Sequence, residues 1–391
     1  MDLPTTADVV IIGGGVIGTS IAFHLTRMGC RHVVLCERTR LAAGSTGMSS
    51  GLVRMHYDNP LEAELAHKSY PTFAHFDEMV GGECGFVRTG FLRTVRQHNL
   101  ERLKANVEML QRLGVKTWLV GPDDIRELAP YLNVDDIPLA AYEPDSGYAD
   151  PYLTTTGFAR AARRKGAHIL QGLEVTGIPV RASRVVGVET KAGTIATGTV
   201  IIAAGPWGAR VAASVGLHLE LKLVYHPVVM VETPPQVPHP HLTVIDRLNT
   251  IYLRPETGGL TLVGASHDNR VVGPEDLDTY SQTLSPETQF SALERLCNRI
   301  PAMEHGRLRK GHAGIITKTA DEHALLGPVP GVEGCYAALG FSGHGFKEAP
   351  AVGQAMAELV LNGRAQIVDI TPLRLTRFAE GRPYHAANEY R

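Results

Sequence analysis

"ADVVIIGGGVIGTSIAFHLTRMGCRHVVLCER" (residues 7–38) decides the fold. Val9 to Ile12 form a short continuous apolar run, the pattern of a strand covered on both faces. Gly13, Gly15 and Gly18 make a GxGxxG turn. Ile17, Ile21, Ala22, Leu25 and Met28 then recur at helical spacing up to Gly29, a natural helix stop. "HVVLC" is a second strand, and it ends at Glu37. The glycines let a pyrophosphate approach the backbone at a helix N-terminus, and an acid at the end of the second strand accepts ribose hydroxyls. A GxGxxG alone is weak; strand, turn, helix, strand and acid in register point to dinucleotide binding. The acid argues against NADP and leaves NAD and FAD both open.

Composition narrows the class. The 391 residues carry 38 basic and 40 acidic side chains, so no net charge marks a nucleic-acid or acidic-membrane partner. The densest basic run, "ARAARRKG" at 159–166, reads as a solvated helix end. The five cysteines are odd in number and form no CxxC pair, which fits a reducing compartment. The 17 histidines show no metal-ligand spacing, so no metal is expected. No uninterrupted apolar stretch reaches the roughly 18 residues of a membrane helix, and a cytoplasmic protein is expected.

Beyond Glu37 the small-residue loop "GSTGMSSGLVR" (44–54) replaces the helix that a simple Rossmann repeat would place there. Its amides and hydroxyls suit a second phosphate. Helical patterns with a short hairpin fill 61–150, and "TVIIAAGPWGARVAASVG" (199–216) reads as a buried strand entering a helix. Residues 218–310 alternate strand-like runs with turns before a helix, as in an inserted antiparallel sheet. "GCYAALGFSGHGFKEAPAVGQAMAELVLNG" (334–363) supplies a last strand, loop and helix.

Taken in order, GxGxxG with Glu37-Arg38, "GSTGMSSGLVR", "VIIAAGPW" and "GFSGHGFKEAPAVG" resemble the FAD-dependent D-amino-acid oxidase superfamily, in its sarcosine oxidase and glycine oxidase branch. The resemblance spans essentially the whole chain. It implies an α/β fold: a Rossmann-like FAD-binding domain, discontinuous in sequence (1–85, 150–217 and 311–375), with an inserted antiparallel-sheet α+β substrate domain (86–149 and 218–310). Residues 376–391 would form a C-terminal tail.

The resemblance also implies site residues. Gly13, Gly15, Val16, Ile17 and Gly18 would meet the FAD pyrophosphate, and Glu37 with Arg38 the adenosine ribose. Ser45, Thr46, Ser49 and Ser50 would hold the pyrophosphate and ribityl chain, with Gly51 and Leu52 beside the flavin. Val175 would meet adenine, and Gly205 with Trp207 form a second FAD motif, although Trp207 also reads as plain core. Gly343, His344, Gly345, Phe346 and Lys347 would lie at the pyrimidine end of the flavin. Arg54 and Lys347 would clamp a substrate carboxylate, a planar fork opposite a point charge. Plainer readings make Arg54 a surface ion pair and Lys347 an exposed lysine. His344, Tyr252 and His267 are candidates for polar contacts, the histidines at least as readily structural.

Three departures matter. Gly314 stands where some sarcosine oxidases carry the flavin-linking cysteine, so the FAD is expected to be non-covalent. Ile316 replaces a glycine-oxidase arginine. No lysine stands on the strand in "GGLTLVGASH" where sarcosine oxidases promote the oxygen reaction, and Leu262 and Ile316 would leave room for a hydrophobic arm. The expected function is oxidation of the C–N bond of a carboxylate-bearing amino acid, a secondary amine such as an N-substituted glycine, to an imine that hydrolyses to an amine and an oxo acid such as glyoxylate; the acceptor, oxygen or a partner carrier, and the oligomeric state stay open. An NAD-linked dehydrogenase and a non-catalytic flavoprotein are the competing readings.

Overall fold

The computed structural model describes residues 3–390. The opening stretch folds as its pattern requires: strand Val9–Ile12, helix Val16–Arg27 and strand Val33–Glu37. Val9–Ile12 pairs in parallel with Val33–Glu37 on one side and Val200–Ile202 on the other. The complete sheet runs Leu325–Pro328, Cys335–Leu339, Val200–Ile202, Val9–Ile12, Val33–Glu37, His168–Gln171. Every pair is parallel except the edge strand Leu325–Pro328, which runs antiparallel to its neighbour.

Strand alternation explains why this sheet is apolar throughout. Val9 and Ile11 point into a helical layer, where Ile21, Phe158 and Ala355 pack. Val10 and Ile12 point into the opposite layer with Val188 and Ile195 of a three-stranded antiparallel sheet. Sequence order reverses at Val9–Ile12, and ligands in open α/β sheets lie at such a switch point. Gly353 lets helix Gly345–Asn362 approach helix Val16–Arg27, because a Cβ there would lie 2.1 Å from Ser20 Oγ.

The second unit is a nine-stranded sheet. Its strands Phe91–Thr94, Lys222–Glu232, Thr243–Asp246, Ile251–Glu256, Leu260–Gly264 and Arg307–Lys318 bury alternate residues against helix Pro286–Arg299. Leu92, Val244, Leu253, Val263, Ala313 and Ile315 form that core with Leu296. By the same two-residue period, Phe91, Arg93, Ile245, Tyr252, Leu262, Gly264, Gly314 and Ile316 face the other way. The expected domain boundary at residue 311 falls inside one strand, Arg307–Lys318, which pairs antiparallel with Lys222–Glu232. The register shifts opposite Val228 and Met230, at residues 309–312, and pairing on both sides of that bulge keeps the strand in the larger sheet.

The stretch beyond 376 is bound rather than loose. Arg377, fully buried, donates to both Asp321 oxygens at 2.7 and 2.8 Å, and the Tyr390 amide donates to Asp58 at 2.7 Å. Among the described residues no helix is long and apolar enough to cross a membrane.

A second buried ion pair ties the large sheet to its helix. Arg299 is fully buried and donates to Asp246, itself fully buried, and to Asp136. Removing one partner leaves a buried charge uncompensated, at about 3–5 kcal/mol. Arg299→Met should therefore lower the thermal unfolding midpoint sharply; a midpoint within a degree or two of the parent protein would contradict the pairing.

Candidate active site

The strand-to-helix turn at the sheet's switch point fits a dinucleotide. Gly13 has φ +117° and a Cβ there would lie 2.4 Å from the Ala203 carbonyl; a Cβ on Gly18 would meet the Gly13 carbonyl at 2.0 Å. Gly15 begins helix Val16–Arg27 without a side-chain cap, leaving the positive helix end uncovered except at Val16, whose amide donates to Thr46 Oγ1 at 3.1 Å. Ile17 follows in the first turn. Glu37 accepts from the Gly14 amide at 2.7 Å and from Thr39 at 2.8 Å, which fixes the carboxylate beside the turn.

The 44–54 loop lies along this turn and over the outward face of the large sheet. Ser45 donates to the Ile315 carbonyl at 2.6 Å, Ser49 Oγ accepts from the Gly51 amide, and Arg254 donates to the Ser50 carbonyl. Gly51, at φ +65°, has no space for a Cβ against the Ala149 carbonyl. A Cβ on Gly314 would press on Met48 at 2.5 Å, so this residue carries no cysteine-sized side chain in the present packing. Leu52–Val53 pairs with Gly147–Tyr148 and leads into Arg54.

Other expected cofactor residues are placed as follows. Gly205, at φ +52°, begins the turn that carries Trp207. Trp207 Nε1 donates to Asp278 at 2.7 Å, and Arg38 stacks over its ring at 4.6 Å while also pairing with Asp278. Val175 lies on the three-stranded sheet, half-buried. Gly343 has φ +95° and abuts Ile316. The Phe346 ring turns into the core against Phe73 at 5.5 Å, so a ligand at this loop would meet its backbone.

Arg54 and Lys347 come together around one ring. Arg54 Cζ lies 4.3 Å from the Tyr57 ring centre, Lys347 Nζ 5.8 Å from it, and His344 meets its edge at 5.2 Å. Arg54, Lys347 and Tyr57 are all buried, so neither cation is a surface charge. Arg54 donates to the His56 carbonyl, and its Nε has no partner. Burial, with Arg54 nearby, lowers the Lys347 pKa to about 7, and burial raises Glu348 above the usual carboxylate range. The Tyr57 hydroxyl and Glu348 Oε1 are buried without a well-formed hydrogen bond.

Local chemistry builds this cluster. Asn59 caps helix Pro60–Ala74, accepting from Leu61 and Glu62 amides, which pins 54–58 between a strand and a helix start. Glu62 then accepts from His323 Nδ1 at 2.8 Å and His344 Nδ1 at 2.9 Å. Burial opposes its charge, but the two histidines outweigh burial and hold it ionised. Lys347 and Glu348 sit in the first turn of helix Gly345–Asn362, which Pro350 interrupts. Ser69 repairs the break by donating to the Glu348 carbonyl and accepting from the Ala351 amide.

Glu62, His344 and Glu348 offer ligand atoms within 4.8 Å of one another. The histidine donors occupy Glu62, and a dication would be repelled by Lys347 and Arg54, so the group acts as an ion-pair network. Tyr252 lies on the outward sheet face and bonds His226 Nε2 at 2.8 Å. His267 turns away to Ser291 at 3.0 Å. Leu262 is fully buried under Arg254, so the room expected for an apolar arm is not at that residue.

Residues 8–359 match the FAD dependent oxidoreductase family, DAO. The chain belongs to that family. Human mitochondrial sarcosine dehydrogenase is 31% identical over 375 residues, covering 93% of this chain and 40% of that protein. The chain thus spans less than half the length of that curated relative. The crystal structure of L-proline dehydrogenase from P. horikoshii superposes with TM-score 0.90 at 28% identity, covering 98% of this chain and 100% of that one. Glycine oxidase from Bacillus cereus gives TM-score 0.78 at 26% identity over 98% and 99%. FAD is the cofactor of that family of oxidoreductases.

The glycine turn yields a direct prediction. Gly13→Ala should reduce the flavin retained through purification, read as the ratio of flavin to protein absorbance; full retention would contradict the steric argument.

Proposed function

We propose that the chain oxidises the C–N bond of an amino acid, a secondary amine such as an N-substituted glycine. The observation that carries this reading is the pair of buried cations, Arg54 and Lys347, around Tyr57; among the described residues neither has a carboxylate in salt-bridge range, and Glu62 pairs with His323 and His344 instead. A buried cation pair of this kind is stable only with an anion close by. An amino acid's carboxylate supplies it, with a fork from arginine and a point charge from lysine. FAD, when bound, supplies the two-electron acceptor. The chain's part is positioning: the clamp fixes the carboxylate, and the loops at 44–54 and 340–347 exclude water. Loss of a hydride equivalent from Cα and of the amine proton gives an imine. Water addition then releases an amine and an oxo acid such as glyoxylate. Glu348 Oε1, buried and raised toward neutrality, is placed to hold the released proton.

For the acceptor, a carrier is favoured over oxygen. The outward face of strand Leu260–Gly264 presents Leu262 and Gly264 instead of a cation that would stabilise reduced oxygen. The full-length relative named a sarcosine dehydrogenase agrees in kind.

An anaerobic panel of secondary and primary amino acids, read by bleaching of the flavin band, tests the reaction class. N-substituted glycines should bleach it; retention of the oxidised spectrum with every amine would leave only a binding role. Arg54→Ala and Lys347→Met should each raise the apparent KM by about 10- to 100-fold, the weight of a charge-assisted bond. Lys347 carries its charge below its lowered pKa. Clamping by the free enzyme should therefore weaken as pH rises through about 7, and Lys347→Met should abolish that limb of kcat/KM.

A further inference from the structure

Arg93 is a buried cation that the clamp does not use. It is only 5% exposed, on the same outward face of strand Phe91–Thr94 as Phe91, against which Arg54 packs at 5.8 Å. Its guanidinium lies 4.7 Å from the Tyr390 ring, and its Nε has no hydrogen-bond partner. Burial first, then Arg247 and Arg54, lower its pKa to about 9. Arg247 is exposed at its tip, and the loss of water around its base, with Arg54 and Arg96, lowers its pKa against the opposing charges of Asp58 and Glu322. Among the described residues, none of Arg54, Arg93 and Arg247 lies within 4.0 Å of a carboxylate.

The nearby acids are already committed. Asp58 accepts from the Tyr390 amide at 2.7 Å. Glu143 accepts from Ser146 at 2.6 Å and the Met55 amide at 3.0 Å, and burial raises its pKa to about 7, so it is a weak counter-charge. Stacking on Tyr390 offsets only part of the cost of burying the Arg93 charge. An acceptor is missing at Arg93 Nε.

We infer that Arg93, with exposed Arg247 beside it, forms a second anion subsite, and that the substrate is an amino dicarboxylate such as an N-carboxyalkyl glycine. This rests on the oxidation proposed above. Arg54 packs on Phe91, two residues before Arg93 on the same strand face, and the charges of Arg54 and Arg247 both act on Arg93. A second carboxylate on a short arm would therefore reach from the Arg54 and Lys347 pair to Arg93. The occupant belongs to the substrate because Arg54 borders both positions, over Tyr57 on one side and Phe91 on the other.

The test compares N-(carboxymethyl)glycine with N-propylglycine, an arm of similar length without charge. Both are measured by anaerobic flavin reduction and by kcat/KM with an artificial electron acceptor. The wild-type chain should prefer the dicarboxylate by roughly tenfold or more, the weight of one charge-assisted bond. Arg93→Met should bring that ratio toward one, and Arg93→Lys should restore part of it. Arg247→Gln, an exposed change that spares the core, should lower the ratio as well. A wild-type ratio of one or less, or a ratio unmoved in both Arg93→Met and Arg247→Gln, overturns the subsite alone. If neither amine bleaches the flavin, the oxidation reading fails and the subsite with it.

Discussion

Two like charges buried around one tyrosine ring are the constraint on which the rest of the site depends. Arg54 and Lys347 approach Tyr57 from within its shell, and both are removed from water. The ring's negative face offsets part of that cost, and Glu348, next in the chain to Lys347, offsets more. Glu62 could have neutralised the pair outright, but His323 and His344 take its charge instead. The result is a region with positive charge held open for a ligand. His323 is positioned in turn by Asp321, which accepts from the His323 amide while pairing with buried Arg377. The fold thus invests two ion-pair layers to keep two cations unpaired.

Backbone arrangement makes the geometry available. Lys347 stands in the first turn of a helix whose dipole disfavours a cation, and Pro350 removes a bond from that helix just beyond. Ser69 from the neighbouring helix takes up the freed groups, so the turn stays ordered where the charge is needed. Arg54 is fixed from the opposite side, between a two-residue strand and the Asn59 cap. Each clamp residue therefore sits next to a helix start on a rigid support.

The nucleotide unit was largely legible because its signals are local. A four-residue apolar strand, a glycine turn and an amphipathic helix occupy consecutive positions, and each has few alternatives. Arg54 and Lys347 could be placed through motif resemblance, and their burial then follows from the packing. Glu62, Tyr57 and His323 escaped notice, since Glu62 lies in an ordinary helical pattern and its two histidine partners come from a segment more than 250 residues later. The "DEH" at 321–323 was a usable signal, as was Glu348 beside Lys347.

The large sheet divides these roles by its two-residue period. Leu92, Val244, Leu253 and Val263 must stay apolar, because they form the core with the Pro286–Arg299 helix. Their alternating neighbours Phe91, Arg93, Ile245, Tyr252 and Leu262 face the flavin-side loops and carry no such duty. Arg93 is the charged member of that otherwise uncharged set, and a guanidinium there is costly to bury and adds nothing to the core behind it. Its place on that face is what the proposed subsite for a second carboxylate requires, and a merely apolar substrate would gain nothing from it.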